Sequence, residues 1–141
     1  MAEQPLETEA LAHIDVLVVV DAVAAASTGN LGNNVYMVDT NKHFGSGNEG
    51  QAELYTACHD NQTINWRVAG VSPSSDVKIS GFTGQLIDGK ICMPEETGIV
   101  TDRYWSGVIQ ARGAYADYQY SIVVRINDTD YTFDPFVRVT K

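Results

Sequence analysis

A chain of 141 residues with 18 acidic and 9 basic side chains carries a formal net charge of −9, which repels phosphate backbones and anionic lipid surfaces and so excludes nucleic acid and membrane as partners. Hydrophobic residues at 44% argue for a packed core, and a chain of this length buries about 68% of its unfolded surface without a metal or disulfide staple. Two cysteines, Cys58 and Cys92, are too few for a disulfide framework and read as reduced, partly buried thiols.

In chain order, residues 1–12 read as a flexible acidic tail and residues 13–141 as one β-sandwich domain. The tail has three glutamates and no Lys or Arg, so the apolar run Ile14–Val20 is not a secretory signal. It is also too short to span a bilayer. A cytoplasmic location follows, with any release by a non-classical route. The run Ile14–Ala22 predicts a central strand covered on both faces. The alanines after it make one helical turn at most, because Gly29 and Gly32 stop it. A strand resumes at Val35–Asp39, followed by a Gly-rich loop over Thr40–Gly50.

Two alternating segments at 51–59 and 63–71, flanking the polar break Asp60–Gln62, predict a hairpin. On the second, Ile64, Trp66 and Val68 share one face. Ser72–Asp76 is turn chemistry, and Val77–Thr83 alternates again. Asp88-Gly89 between apolar residues is the signature of a two-residue hairpin turn. Tyr104–Ala111 is a strand candidate. In Tyr118–Ile126 the residues Tyr118, Tyr120, Ile122, Val124 and Ile126 face one way. Asn127–Thr129 turns the chain into Asp130–Thr140, where Pro135 demands an edge or a bulge. Both Asn61-Gln62-Thr63 and Asn127-Asp128-Thr129 match the glycosylation pattern, which without secretion marks exposed turns. Eight or nine strands with turn signals between them describe an all-β, antiparallel β-sandwich, jelly-roll-like in layout.

Cys58, His59 and Asp60 supply a nucleophile, a base and an acid side by side. On a strand Cys58 and His59 point to opposite faces, so the thiol cannot reach the imidazole. A core cysteine and a surface histidine explain them better. His13, His43 and His59 lack zinc spacing. Two acidic loops are candidates for calcium, the only cofactor the sequence suggests. One carries Asn127, Asp128, Asp130 and Asp134, the other Asp39, Asn41, Asn48 and Glu49. The second begins like an EF-hand loop but has Phe44 at position six and Gly50 at position twelve. Trp66, Trp105, Tyr118 and Tyr120 suit a sandwich core. The alternative is a lectin-like carbohydrate-binding module with acidic, candidate calcium-binding loops, in which Asp128, Asp130 and Asp134 stand beside the tyrosine-rich strand and exposed rings stack sugars. The glycine runs Gly29–Gly32 and Gly45–Gly50 lack the Lys-Ser/Thr ending of a phosphate loop. The sequence thus offers no catalytic residue, no metal set and no identifiable ligand-binding residue.

Several pieces line up in one order: "HIDVLVVVDA" at 13–22, "VYMVD" at 35–39, "GSGNEGQAELYTACHDNQTINWRV" at 45–68 and "YQYSIVVRINDTDYTFDPFVRV" at 118–139. This order resembles the bacterial inclusion-body protein family of PixA and AidA. In that comparison Ile64, Trp66, Arg67, Asp134, Pro135 and Phe136 match motif positions that hold the fold. The chain departs at Asn61-Gln62 and at Phe133, and 84–103 does not align. The resemblance implies a non-enzymatic, self-associating protein, a homo-oligomer that accumulates in the bacterial cell. It also implies quorum-sensing control and association with a host.

Overall fold

The computed structural model describes residues 13–41, 45–72, 74–99 and 102–140. The expected tail over 1–12, together with His43 and Phe44, lies outside them. Eleven strands form among the described residues: β1 (Ile14–Val20), β2 (Val35–Asp39), β3 (Tyr55–His59), β4 (Thr63–Gly70), β5 (Val77–Thr83), β6 (Glu95–Ile99), β7 (Asp102–Val108), β8 (Asp117–Gln119), β9 (Ser121–Ile126), β10 (Thr129–Phe133) and β11 (Phe136–Thr140). Two short helices, α1 (Ala22–Thr28) and α2 (Gln85–Asp88), interrupt them.

The strands form three sheets, ordered β2-β1-β4-β7-β6, β10-β9-β5 and β3-β11-β8. The all-β, sandwich-like class is as expected, but not every pairing is antiparallel. β1 runs parallel to β4, and β3 parallel to β11. After β2 the chain visits another sheet as β3, then returns to lie beside β1 in the same direction. The expected hairpin of 51–59 with 63–71 therefore does not form: β3 and β4 belong to different sheets.

The cause lies in the turn at 60–62. The Asp60 carboxylate accepts from the backbone N–H of Ala111 at 2.8 Å and of Gly113 at 3.3 Å. Asn61 N–H donates to the Ile109 carbonyl at 2.7 Å, and Ile109 N–H donates to the Gln62 carbonyl at 2.8 Å. The break is tied to a distant segment, and it turns the chain from one sheet to another instead of folding it back.

The last quarter of the chain does fold back. Ile126 faces Thr129 across the Asn127-Asp128 turn, where Asn127 takes the left-handed conformation at φ 54°. Ile122 faces Phe133 and, in the next sheet, Gln119 faces Phe136, which is one unbroken register. A single long hairpin is bent at Tyr120 and Pro135, where Tyr120 N–H donates to the Pro135 carbonyl at 3.1 Å. Pro135, which has no N–H to give a ladder, sits at the corner where the chain changes sheets.

Asp88-Gly89 is not a hairpin turn. Gly84 at φ 106° opens α2, and Asp88 N–H closes a helical bond on the Gly84 carbonyl at 2.9 Å. Gly89 sits at φ −80°, whereas the tight hairpin turn favoured by Asp-Gly needs positive φ. Fully buried Leu86 pins this helix to the core. α1 is longer than one turn, capped by Asp21 on Ala24 N–H and ended by Gly29 at φ 70°.

One hydrophobic cluster joins the sheets, drawing Val18, Met37, Trp66, Ile122 and Val137 from different strands. β1 contributes Ile14, Val16, Val18 and Val20 inward, but it is not covered on both faces as expected. Its outward Leu17 is 39% exposed.

Candidate functional site

The Cys58-His59-Asp60 corner does not assemble. Cys58 is fully buried, His59 is half-buried at the strand end, and the Asp60 carboxylate is spent on backbone N–H groups. Burial, with smaller contributions from Cys92, Asp60 and Asp39, pushes the Cys58 thiol up to about 12. Burial pushes Cys92 up to about 12 as well. Both thiols are free, and both stay protonated and unreactive at neutral pH.

The two acidic loops are committed in part, although Asp39 Oδ2 is buried with no hydrogen-bond partner among the described residues. Asp130 pairs with Arg125 at 3.2 Å, and Asp134 Oδ1 accepts from Ser121 Oγ at 2.6 Å. Asp39 Oδ1 accepts from Asn41 N–H at 2.9 Å, and Asp39 N–H donates to Glu49 Oε1 at 3.2 Å. Among the described residues no three His, Cys, Asp or Glu side chains gather in a metal-holding group.

The aromatic residues singled out in the sequence build the core. Trp66 and Tyr120 are fully buried, and the Trp66 indole donates to the Tyr120 hydroxyl at 3.1 Å. Phe82 packs between them and Trp105, with ring centroids 4.8 Å from Trp66 and 5.4 Å from Trp105. Trp105 donates its indole N–H to the Ile79 carbonyl at 3.2 Å. Burial raises the Tyr120 hydroxyl far above its ordinary value, so it remains a neutral hydrogen-bonding group. Trp66 and Tyr120 are sealed from any ligand, while Trp105 and Tyr118 are half-buried against the core.

Two features that the sequence reading did not single out remain. The first is the outward face of β2 and β1. On β2, Val35 and Met37 point into the core while Tyr36 and Val38 are 47% and 43% exposed. Val38 stands directly opposite Leu17, and Tyr36 opposite Val19. Together they make a contiguous apolar strip, which Ala69 extends onto β4 opposite Val19. Arg67, which pairs with Asp102 at 3.2 Å, bounds it opposite Leu17. The alternation within "VYMVD" already carries this signal, because Tyr36 and Val38 fall on the face opposite Met37.

The second is a cleft of about 740 Å³ beside the bend at Pro135. It is lined by the turn after α1, the turn before β3, Gln119, the end of β10 and Phe136. Each contributing segment reads as an ordinary turn or strand end, so only the fold brings them together.

The sequence matches the family model described as "Domain of unknown function (DUF8788)" over residues 12–132. No curated protein matches it. Among solved structures it is similar to the crystal structure of an inclusion body protein, PixA, from Burkholderia cenocepacia J2315. That similarity has a TM-score of 0.67 at 10% identity, over 91% of this chain and 93% of that one. The likeness to PixA is thus one of fold. No helix among the described residues is long and apolar enough to cross a membrane. With its match running over most of the described strands, the chain belongs to the DUF8788 family.

Proposed function

We propose that this protein is a non-enzymatic, self-associating bacterial protein of the PixA inclusion-body type, working in the cytoplasm as a homo-oligomer. The observation that carries the reading is the outward strip Leu17, Tyr36 and Val38 on β1 and β2. Core packing uses the opposite face of these strands, so the fold itself has no need of an apolar outward face. A strip of this kind gains free energy when a second copy covers it, at about 25 cal/mol per Å² of apolar surface removed from water. The PixA-like fold supports the same reading. Quorum-sensing control and association with a host, which the resemblance implies, belong to this proposal and are tested by following expression against cell density.

The formal net charge of −9 opposes association by mutual repulsion, so added salt strengthens it. Light scattering coupled to size exclusion, run over a concentration series at low and high salt, tests the proposal. The expected result is a mass above the monomer that grows with concentration and salt. A strict monomer at high concentration in both buffers overturns it.

A further inference from the structure

We propose that the cleft beside the Pro135 bend binds a polyhydroxylated ligand, a neutral or amine-bearing saccharide. The proposal is independent of self-association, because the cleft shares no lining residue with the outward strip of β1 and β2.

Its size, about 740 Å³, lies in the range of small-molecule sites. Its walls are mixed in a specific way. Glu53 and Asp134 bring carboxylates, Asn33 and Gln119 bring amides, and among the described residues no basic side chain lines it. Elsewhere the surface carboxylates Asp102, Glu96, Asp130 and Asp117 are each paired with an arginine. The Glu53 carboxylate makes no hydrogen bond or ion pair among the described residues, nor do the side-chain amides of Asn33 and Gln119. Among the described residues Asp134 commits only Oδ1, which accepts from Ser121, and its second oxygen has no partner there.

Carboxylate oxygens accept strongly from hydroxyl groups, and amides both donate and accept. That is the complement of a ligand presenting several adjacent hydroxyls. Tyr131 and Phe136 add half-buried rings to the same wall, which suits the C–H face of a sugar ring. Two unneutralised carboxylates disfavour an acidic sugar and favour one bearing an ammonium group. The rings of Trp66 and Tyr120 cannot serve this purpose, since they are sealed in the core.

The test is a residue-resolved NMR titration of the full chain with glucose, galactose, mannose, N-acetylglucosamine, glucosamine and glucuronate, with spermidine as a purely cationic control. At least one neutral hexose or glucosamine should shift the backbone signals of Asn30, Glu53, Gln119 and Thr132 in a saturable way, and glucuronate should not. The double variant Glu53→Gln/Asp134→Asn should weaken that binding at least 10-fold while its melting temperature stays unchanged. Glu53→Gln alone, at an exposed position, repeats the test if the double variant is unstable. Silence from every sugar, shifts confined to another surface, saturation by spermidine alone, or affinity unaltered in the variants would each overturn the proposal.

Discussion

The two faces of the sheet edge formed by β1 and β2 are built from the same residue types and meet different fates. Inward, Val16, Val18, Val35 and Met37 are sealed in the core. Outward, Leu17, Tyr36 and Val38 are as apolar but half-open to solvent. An inward apolar residue is explained by folding. Folding does not account for an outward apolar strip in a chain otherwise rich in surface carboxylates, and under the proposed self-association a second copy covers it. On that proposal the inward face serves stability and the outward face serves association.

Substitutions on the two faces should therefore separate cleanly. The largest effect belongs to the inward side: Met37→Ala should cost about 2–5 kcal/mol, seen as a lowered denaturation midpoint, because it leaves a cavity under β2. Tyr120→Phe comes next. It strands the buried Trp66 indole N–H, at a cost of about 1–3 kcal/mol in the same assay. On the outward side, Val38→Thr keeps the β-branched shape and should move stability by no more than about 0.5 kcal/mol, while weakening association in light scattering. Equal losses of stability from Val38→Thr and Met37→Ala would abolish the distinction between the faces.

The smallest effect is electrostatic. Arg138 donates to both Asp117 oxygens, at 2.8 and 3.1 Å, and holds that carboxyl below the usual carboxylate range. A folded-state value below the unfolded one means stability that is present above the unfolded pKa, about 3.9, and is lost as pH falls through the lower folded value. Both groups are about half exposed, so the contribution is under about 1 kcal/mol. Arg138→Gln should lower stability at neutral pH by less than about 1 kcal/mol, leave it unchanged at pH below the folded value, and so flatten the acid limb of the stability curve.

Much of the fold was legible because alternation survives wherever one face is buried. The final hairpin was read nearly in full, since its register runs unbroken through the bend at Tyr120 and Pro135. The bend itself was invisible, because the side chains keep alternating while the strands change sheets. The segment 51–71 misled for the opposite reason. Its strands were correct, but their partners were not. Asp60 reaches backbone groups 51 and 53 residues away, and no local pattern announces such an anchor. In β1 an almost continuous apolar run suggested cover on both faces, whereas Leu17 is simply apolar and outward. The cleft was illegible in principle, since Asn33, Glu53, Gln119 and Asp134 come together only after three sheets have formed.

Sedimentation velocity on the wild type and on Leu17→Glu/Val38→Glu tests the central claim most directly. Two carboxylates placed on the strip should repel a second copy without entering the core. The account predicts an oligomer for the wild type and a folded monomer for the double variant. A wild-type monomer, or a double variant that sediments as the same oligomer as the wild type, would contradict it.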